Sequence, residues 1–425
     1  MTESNASATG PQIPAHVPPE LVRDVDFYQI TVGDDPQRDF KERFAGDPAI
    51  FYIPRTARDP QWGNWVITRR EDILAVMQDP QTFSSRHIAG FDRALGGEEW
   101  LAYPVEIDPP DHTKFRALLN PLFAPARIKA LEASMRAHTV GVIEAIVDAG
   151  EVDFQAVASE LPAGIFSHLL GISIDETLAV MGNVRRILHS GYDQIARKAG
   201  LEWLMAFEQE LIKRREHERG DDLISIVLDA RVDGRPLTEK EIFGLFFFFL
   251  LAGLDTVAGA LGLHFRHLAI DVPLRRRLVS DPSAIPDAIE ELLRRYSQIT
   301  TNRFVTRGVE FRGVSLRKGD NLILSLPLAN LDDEVFSDPL AVDVDRQQSP
   351  HIAFGAGLHR CIGSNIARQQ LRITYEEWLK RIPDFRLTPG AEVQAICSEA
   401  LVLKNLPLSW AVMGLESTND SPSHS

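Results

Sequence analysis

The stretch that decides the fold reads His351-Ile-Ala-Phe354-Gly355-Ala-Gly357-Leu-His359-Arg360-Cys361-Ile362-Gly363, and a helical pattern follows it directly from about Ser364. It places one cysteine on a glycine-containing loop, immediately before the first turn of a helix. Backbone N–H groups and the helix dipole stabilise a negatively charged sulfur at such a position. The stretch therefore predicts that Cys361 acts as a thiolate ligand.

Such a sulfur suits a haem iron. Gly355 and Gly357 allow backbone conformations and a close approach that larger residues would block. Phe354 can cover the sulfur, and His359 can reach a haem carboxylate.

Three other interpretations stay open on the loop alone. Gly355 and Gly357 could begin a dinucleotide-binding fingerprint, although Arg360 stands where the third glycine belongs. His359 and Cys361 could bind zinc, although a structural zinc site needs four ligands and the one other cysteine is Cys397. A lone cysteine is more often buried and inert than functional.

With three further segments, the chain resembles the cytochrome P450 superfamily. Its haem-binding signature is matched by Phe354, Gly355, Gly357, His359, Cys361 and Gly363. The segment Ala252-Gly-Leu-Asp255-Thr256 is similar to the oxygen-activation motif, and Glu291-Leu-Leu-Arg294 to a structural Glu-x-x-Arg element. Asp108-Pro-Pro-Asp-His112, with Arg116 after it, resembles the segment that meets the haem propionates. Order and spacing also agree, and the resemblance covers nearly the whole chain.

The resemblance implies a single, mainly α domain with small β-sheets, in which haem b lies between a long central helix and the cysteine-loop helix. It implies that the chain is a monooxygenase that uses dioxygen. Cys361 would bind the iron, and Asp255 and Thr256 would deliver protons to the bound oxygen. The loop residues Phe354, Gly355 and Gly363 would adjoin the haem. The propionates would be neutralised by His112, Arg116, Arg303 and His359. Glu291 and Arg294 would form a buried lock, with Arg346 as a candidate partner.

A finer resemblance connects the chain to soluble bacterial camphor hydroxylases, through Pro14–Pro19, Glu290–Arg295 and Trp378–Phe385. It suggests a small terpenoid substrate. Trp100 stands where that subgroup has a ketone-binding tyrosine, so a larger norisoprenoid ketone is an alternative to camphor. The family pattern places these residues in the substrate pocket: Trp100, Tyr103, Phe248, Leu251, Ala252, Ile299 and Ala400.

The resemblance also implies that electrons come from outside the chain, from a two-iron ferredoxin and an NADH-dependent flavin reductase. Arg360, Arg368 and Lys114 are candidates for the docking surface, and ordinary solvated charges are the alternative. Two rival functions stay open: a peroxide-dependent haem-thiolate enzyme, and a non-catalytic haem- or terpenoid-binding protein. Neither needs the proton-delivering pair that this chain contains.

Composition is compatible with these expectations. The chain has 425 residues, 44% hydrophobic residues and a formal net charge of −15, which argues against a general nucleic-acid binder. Two distant cysteines provide no disulfide framework and suit a reducing cytoplasm. The N-terminus shows no targeting pattern. We expect flexible ends at 1–20 and 414–425 around a haem-binding domain at 21–413, and no membrane association.

Periodicity predicts the elements that would build this domain. The apolar run Ile242–Leu254 is shorter than the roughly 20 residues that cross a bilayer, so we expect it to lie inside a buried helix. That helix should begin at a capping box of Thr238 and Glu241 and continue to about Ala269. A strand at 65–68 followed by a helix at 70–78 predicts a small sheet near the N-terminal part. Further helices are predicted at about 126–148, 155–171, 176–193, 199–217 and 221–230.

Overall fold

Helices form most of the structure, and the strands are short. The computed structural model describes residues 13–56, 63–88, 101–189, 193–346 and 351–412. In chain order, the helices are α1 Pro36–Arg43, α2 Arg70–Gln78, α3 Asp111–Leu119, α4 Pro125–Ala130, α5 Glu132–Glu144, α6 Phe154–Leu170, α7 Ile174–Leu188, α8 Gln194–His217, α9 Leu223–Asp229, α10 Glu239–Gly253, α11 Asp255–Ile270, α12 Val272–Ser280, α13 Ile285–Arg295, α14 Leu326–Asn330 and α15 Ser364–Arg381.

The strands are β1 Ile50–Ile53, β2 Asn64–Ile67, β3 Phe83–Ser84, β4 Glu151–Asp153, β5 Arg231–Val232, β6 Arg235–Pro236, β7 Thr300–Val305, β8 Val309–Phe311, β9 Val314–Leu316, β10 Asn321–Ser325, β11 Phe385–Leu387, β12 Ala395–Cys397, β13 Leu401–Leu403 and β14 Pro407–Trp410. The largest sheet has the order β1-β2-β10-β7-β3, with β2 and β10 parallel and the other pairs antiparallel. The predicted small sheet is therefore present, but two of its strands come from the second half of the chain.

The helices follow the predicted segments closely, with one difference. The helix expected at about 126–148 is divided into α4 and α5 by Leu131, and it ends at Glu144 before a short 3₁₀ turn at Val147–Ala149. The other predicted helices correspond to α6, α7, α8 and α9. Residues 1–12 and 413–425 lie outside the described residues. Within the segment expected to be flexible, Val17 is buried and His16 pairs with Asp320, so packing begins before residue 20.

The central helix, formed by α10 and α11, passes through the interior. Its N-terminus has the predicted capping box: the Glu241 N–H donates to Thr238 Oγ1 and the Thr238 N–H donates to Glu241 Oε2. Leu254 separates α10 from α11, so the helix is locally interrupted within the Ala252–Thr256 motif. By length and hydropathy the whole helix could cross a membrane, but most of its apolar stretch is buried inside the protein.

Aromatic packing fixes α11 against the C-terminal part of the fold. The ring of Phe265 stacks on Phe154 at a centroid distance of 4.3 Å and meets Trp378 of α15 edge-on at 5.5 Å. Phe385 packs against both rings from β11. All four side chains are at most 1% exposed. This cluster holds α15, and with it the preceding cysteine loop, in register with the central helix.

A buried arginine joins α13 to the chain that leads to the cysteine loop. Arg294 donates from Nε and Nη2 to both carboxylate oxygens of Glu291, at 2.8 and 2.7 Å. Its remaining donors reach backbone carbonyls, at 2.8 to 3.0 Å, in Asn330, Pro339 and Ala341. Arg294 is fully buried, so each of these contacts replaces water that the guanidinium lost on folding.

Glu291 completes this arrangement from the other side. Its Oε1 accepts from the Asp343 N–H at 3.1 Å and from Arg346 Nε at 3.2 Å, so Arg346 lies where a partner of the pair was expected. Burial raises the pKa of Glu291, but the hydrogen bonds and charge of Arg294 outweigh burial and hold the pKa below its ordinary value. The carboxylate is therefore ionised and fixed at neutral pH.

We predict that Arg294→Ala lowers the free energy of unfolding by about 3–5 kcal/mol, because it leaves the Glu291 charge buried without its partner. The matched control is Lys198→Ala, which removes an exposed pair with Glu202 in which both side chains are 60% exposed. That change should cost at most about 0.5 kcal/mol. Urea titration followed by circular dichroism measures both effects, and equal effects would contradict a structural role for the buried pair.

Candidate active site

The cysteine loop, residues 351–363, is folded by its own backbone hydrogen bonds. The Gly355 N–H donates to the Ile352 carbonyl, and the Cys361 N–H donates to the Phe354 carbonyl at 2.9 Å. Gly355 and Gly357 have φ angles of +67° and +66°. At Gly357 a Cβ atom would lie 2.5 Å from the carbonyl oxygen of Met77, whereas at Gly355 it would contact nothing within 4 Å. Glycine at 357 therefore permits the loop to pack directly on the end of α2.

Three charged side chains attach the loop to α13 and α15. Arg368 of α15 donates to both carboxylate oxygens of Glu290 at 2.6 and 2.8 Å, and His351 Nε2 lies 3.0 Å from Glu290 Oε2. The Arg368 guanidinium also lies over the Phe354 ring, 4.5 Å from its centroid. Arg368 was expected to serve partner docking, but in the structure it holds the loop.

Cys361 is accessible on the cysteine loop, yet protein atoms surround its sulfur closely enough that burial raises the pKa of the thiol. The backbone N–H of Gly363 and the charges of Arg116, Arg360 and Arg368 act in the opposite direction without overcoming burial. The loop was expected to stabilise a thiolate through backbone N–H groups and the helix dipole. The Gly363 N–H provides part of this stabilisation, but burial outweighs it in the protein alone.

Basic groups crowd together beside the sulfur. His112 and His359 have ring centroids 4.1 Å apart, and Arg116 Nη1 donates to the Arg360 carbonyl next to the cysteine. Arg303 is 4% exposed, and burial lowers its pKa to about 10 against the opposing charge of Asp108. Four residues predicted to meet propionates thus converge on one place: His112, Arg116, Arg303 and His359.

The arginines of this cluster reach backbone carbonyls, but its imidazoles are less well satisfied. Both ring nitrogens of His112 and Nε2 of His359 are buried without hydrogen-bond partners in the part of the chain that the structure describes. Burial and repulsion from neighbouring cations lower the pKa of His112 to about 4. Unsatisfied donors and mutually repelling cations next to an accessible sulfur fit a group that carries a metal ion and carboxylates, as haem does.

The central helix has a partly accessible face near its middle. In an otherwise buried stretch, Phe248, Ala252 and Thr256 are each partly accessible, and their spacing of four residues puts them on one face. Leu251 lies beside this face and is 9% exposed. Ile362, next to the cysteine, packs on the apolar cluster to which Leu251 and Leu254 belong. The cysteine loop and this part of the central helix therefore share one apolar cluster.

Thr256 takes part in two hydrogen bonds at the helix interruption. Its hydroxyl donates to the Ala252 carbonyl at 3.2 Å. Its own carbonyl accepts from Gln298 Nε2 at 2.7 Å, a side chain outside the helix. The hydroxyl and the carbonyl of Thr256 therefore each have a hydrogen-bond partner. The hydroxyl can still rotate to another acceptor.

Asp255 lies 6% exposed at the centre of a polar network. Arg185 Nε donates to its Oδ1 at 2.8 Å, and His189 Nε2 lies 2.8 Å from its Oδ2. Burial raises the pKa of Asp255, but the hydrogen bond and charge of His189 and the charge of Arg185 outweigh it and hold the pKa below its ordinary value. Beyond these partners, Arg185 donates to Ser159 Oγ and His189 Nδ1 contacts Ser398 Oγ.

The residues predicted to line a substrate pocket are only partly brought together. Ile299 and Ala400 pair through an isolated β-bridge, next to the Gln298 that contacts Thr256. The Tyr103 ring packs against Phe115 with centroids 4.8 Å apart, and its N–H donates to the Gly244 carbonyl of α10, about one helical turn before Phe248. Trp100 lies outside the described residues.

The other interpretations of the loop find no support in this geometry. Among the described residues, no group of three or more His, Cys, Asp and Glu side chains could hold a metal ion, so His359 and Cys361 lack further zinc ligands. The described residues directly before Gly355, 351–354, also form no strand, whereas a dinucleotide fingerprint follows one.

Sequence reasoning missed the partners of Asp255. Arg185 lies in the last turn of α7, and His189 follows four residues later as the residue that ends the helix, which is a detectable signal. Nothing in the sequence tells which carboxylate, some 70 residues away, they contact. Glu290 and His351 were missed for the same reason.

Comparisons with known proteins agree with this geometry. The family model described as Cytochrome P450 matches residues 285–412. The chain is 37% identical over 406 residues to "Probable cytochrome P450 127A1" from Sinorhizobium fredii (strain NBRC 101917 / NGR234), which covers 94% of this chain and 97% of that protein. The crystal structures of CYP101J2 and CYP101C1 match with TM-scores of 0.83 and 0.84 and identities of 30% and 28%. Each match covers 94% of this chain and 100% of the other.

We predict that Gly357→Ala lowers the free energy of unfolding more than Gly355→Ala. Both variants place alanine at a positive φ, which costs about 1–2 kcal/mol. At position 357 the new Cβ also meets the Met77 carbonyl at 2.5 Å, which neither backbone can avoid without moving. Urea denaturation of both variants isolates that contact. Equal destabilisation would mean that the loop does not depend on packing against α2.

Proposed function

The chain belongs to the cytochrome P450 family, whose cofactor is haem, and on that basis we propose a monooxygenase that hydroxylates a small terpenoid or norisoprenoid substrate with electrons from a ferredoxin. The predicted similarity to the bacterial camphor-hydroxylase-like subgroup is confirmed by the likeness to the two CYP101 structures. The relative from Sinorhizobium fredii, which is named as a probable cytochrome P450, also supports the assignment as a monooxygenase. The residue roles below are part of the proposal.

One observation carries the proposal: an accessible cysteine lies beside a cluster of basic groups, and its neighbour Ile362 packs on the apolar cluster that includes Leu254, next to Asp255 and Thr256 on the central helix. Cys361 would bind the haem iron, and the positive charge of the metal would offset the burial that raises the pKa of its thiol. His112, Arg116, Arg303 and His359 would bind the propionates. When bound, haem supplies the iron at which dioxygen is activated.

The protein's own residues would handle protons and water. Asp255, ionised and held by Arg185 and His189, can accept a proton and pass it towards the Thr256 hydroxyl. Thr256 can exchange its contact with the Ala252 carbonyl for one with the reacting oxygen. The buried helix face around Leu251 keeps bulk water away, so protons arrive through these groups.

The substrate class follows from the character of the accessible helix face. Phe248, Leu251 and Ala252 offer apolar surface, and Ile299 with Ala400 would extend it from the opposite side. Pockets of this composition bind small hydrophobic molecules. The likeness to CYP101 enzymes favours a compact terpenoid, and Trp100 favours a ring larger than camphor. We also infer a cytoplasmic location from that likeness.

Electron delivery would use the face beside the cysteine loop. Arg360 is exposed next to Cys361, whereas Lys114 pairs with Asp111 and Asp233 and Arg368 pairs with Glu290. Arg360 is therefore the best placed of the three candidates to meet an acidic two-iron ferredoxin reduced by an NADH-dependent flavin reductase.

We predict that camphor or an ionone shifts the haem absorption band of the ferric wild-type protein from low spin to high spin, because the substrate expels water from the iron. Cys361→Ser should abolish the thiolate spectrum, while Cys397→Ser, the same change at the second cysteine, should keep both spectrum and shift. No shift with either compound on haem-replete protein would overturn the terpenoid substrate.

Oxidant choice separates the rival functions. A monooxygenase of this kind turns over with dioxygen and a reduced ferredoxin, whereas a peroxide-dependent enzyme turns over with peroxide alone. A protein that only binds haem or terpenoids yields product with neither oxidant. Product analysis with each oxidant therefore decides among the three.

We predict that Arg360→Glu slows electron transfer from an acidic two-iron ferredoxin about tenfold at low salt, because it reverses a charge that steers association. The matched control, Arg386→Glu, reverses an exposed charge on β11 and should leave the rate unchanged. Stopped-flow reduction at two salt concentrations measures the effect. Equal rates for both variants would exclude docking at the cysteine loop.

A further inference from the structure

We propose that His189 is the proton donor to Asp255, and that it connects Asp255 to solvent through an imidazole that can be charged or neutral without breaking its hydrogen bonds. This inference rests on the proposed function, because it assumes that Asp255 delivers protons. His189 acts through Asp255 and does not itself touch the reacting atoms.

The geometry places His189 between a carboxylate and a hydroxyl. Its Nε2 lies 2.8 Å from Asp255 Oδ2, and its Nδ1 lies 2.9 Å from Ser398 Oγ. The His189 side chain is 11% exposed, so it is close to solvent. The side chain of Asp255, which is 8% exposed, lies behind it. His189 is the residue immediately after α7 and the last residue of the described segment 101–189.

Of the two cationic partners of Asp255, His189 alone has proton-transfer chemistry. Arg185 is the more accessible of the two, at 34%, but a guanidinium does not release its proton in proteins. Imidazole gains and loses a proton in the neutral range. If a proton reaches Asp255 from either neighbour, it therefore comes from His189.

Counting hydrogens explains how the network tolerates both charge states. Ser398 Oγ has a single proton and two acceptors within reach: its contact with the Ala400 carbonyl is 3.1 Å and that with His189 Nδ1 is 2.9 Å. When the hydroxyl donates to Ala400, its oxygen accepts from Nδ1–H, as an imidazolium requires. When it donates to Nδ1, the imidazole is neutral and keeps Nε2–H for Asp255.

A proton can therefore pass from His189 to Asp255 while the heavy atoms stay in place. The imidazolium releases its Nε2 proton to Asp255 Oδ2, which leaves a neutral imidazole with Nδ1–H and a neutral carboxyl group. Asp255 then passes that proton towards Thr256 and becomes a carboxylate again. The imidazole ring then turns so that Nε2 takes a proton from solvent, and the ring returns as the imidazolium. One proton enters and one leaves in each cycle, and no oxidant or reductant is needed.

Charged groups around His189 define the pH response. Asp255 contacts it from α11 and Arg185 precedes it by one turn on α7. On the 398–400 segment, Glu399 is paired with Arg197 of α8 at 3.4 Å. Because His189 donates from its cationic form, the turnover rate should fall once the imidazole loses its proton.

We predict that His189→Gln lowers kcat about 10- to 100-fold while KM and the substrate-induced spin shift stay unchanged. Glutamine keeps an N–H donor for Asp255 but cannot gain or lose a proton. The falling limb of the pH profile should disappear, and the solvent deuterium isotope effect on kcat should rise. A purely structural role for His189 would leave both readouts as in the wild type.

Two further variants serve as controls. Arg185→Lys changes the other partner of Asp255 but keeps its charge, so it should retain the wild-type pH profile and isotope effect. His217→Gln makes the same chemical change at an exposed histidine at the end of α8 and should alter nothing. If His189→Gln turns over with the wild-type pH profile and isotope effect, the proposal is wrong.

A measurement without substrate separates this inference from the proposed function. In the diamagnetic, reduced carbon monoxide form with ¹⁵N-labelled histidine, the imidazole signals that vanish in His189→Gln belong to His189. They should change from the charged to the neutral pattern between about pH 5 and 9. Signals that stay constant would overturn the inference even if the wild type hydroxylates terpenoids. A wild type that makes no terpenoid product, with signals that titrate, would overturn the substrate alone.

Discussion

The contact between Arg294 and Glu291 holds the segment that carries the cysteine. Arg294 ties α13 to three backbone carbonyls between residues 330 and 341, and Glu291 ties it to Asp343 and Arg346. The eleven residues of α13 thereby fix the path of a chain that has little regular structure of its own. Glu290, the neighbouring residue, extends the same support to the cysteine loop through Arg368 and His351. Helix α13 is thus the platform on which the loop is built.

Several ionisable groups beside the cysteine loop are buried in a way that disfavours their charged forms. Burial disfavours the ionised form of Cys361, and His112, His359 and Arg303 are desolvated beside one another. A cofactor that brings a metal cation to the sulfur and carboxylates to the basic groups removes both penalties at once. Because such a ligand binds the folded state and not the unfolded chain, its binding energy adds to stability by mass action. Folding and cofactor retention are therefore coupled.

Local signals in the sequence predicted much of this arrangement. The glycines around Phe354, the capping box at Thr238 and the strand with α2 depend on residues close together in the chain, so pattern alone reveals them. Pairings across the fold were not accessible in the same way. Arg368 reads as a free surface charge until Glu290 and Phe354 are brought to it, and His189 reads as the end of a helix until Asp255 appears beside it. Long-range partners are decided by tertiary packing, which one sequence does not encode visibly.

Ser398 and Ala400 stand two residues apart on the segment between β12 and β13. Ser398 contacts His189, while Ala400 pairs with Ile299 at the predicted pocket wall. Substitutions on this short segment that adapt the pocket to a new substrate therefore change the surroundings of His189 at the same time. Variants selected for fit alone would risk consuming reductant without forming product, so their improvement should come through paired changes, one on this segment and one on α7.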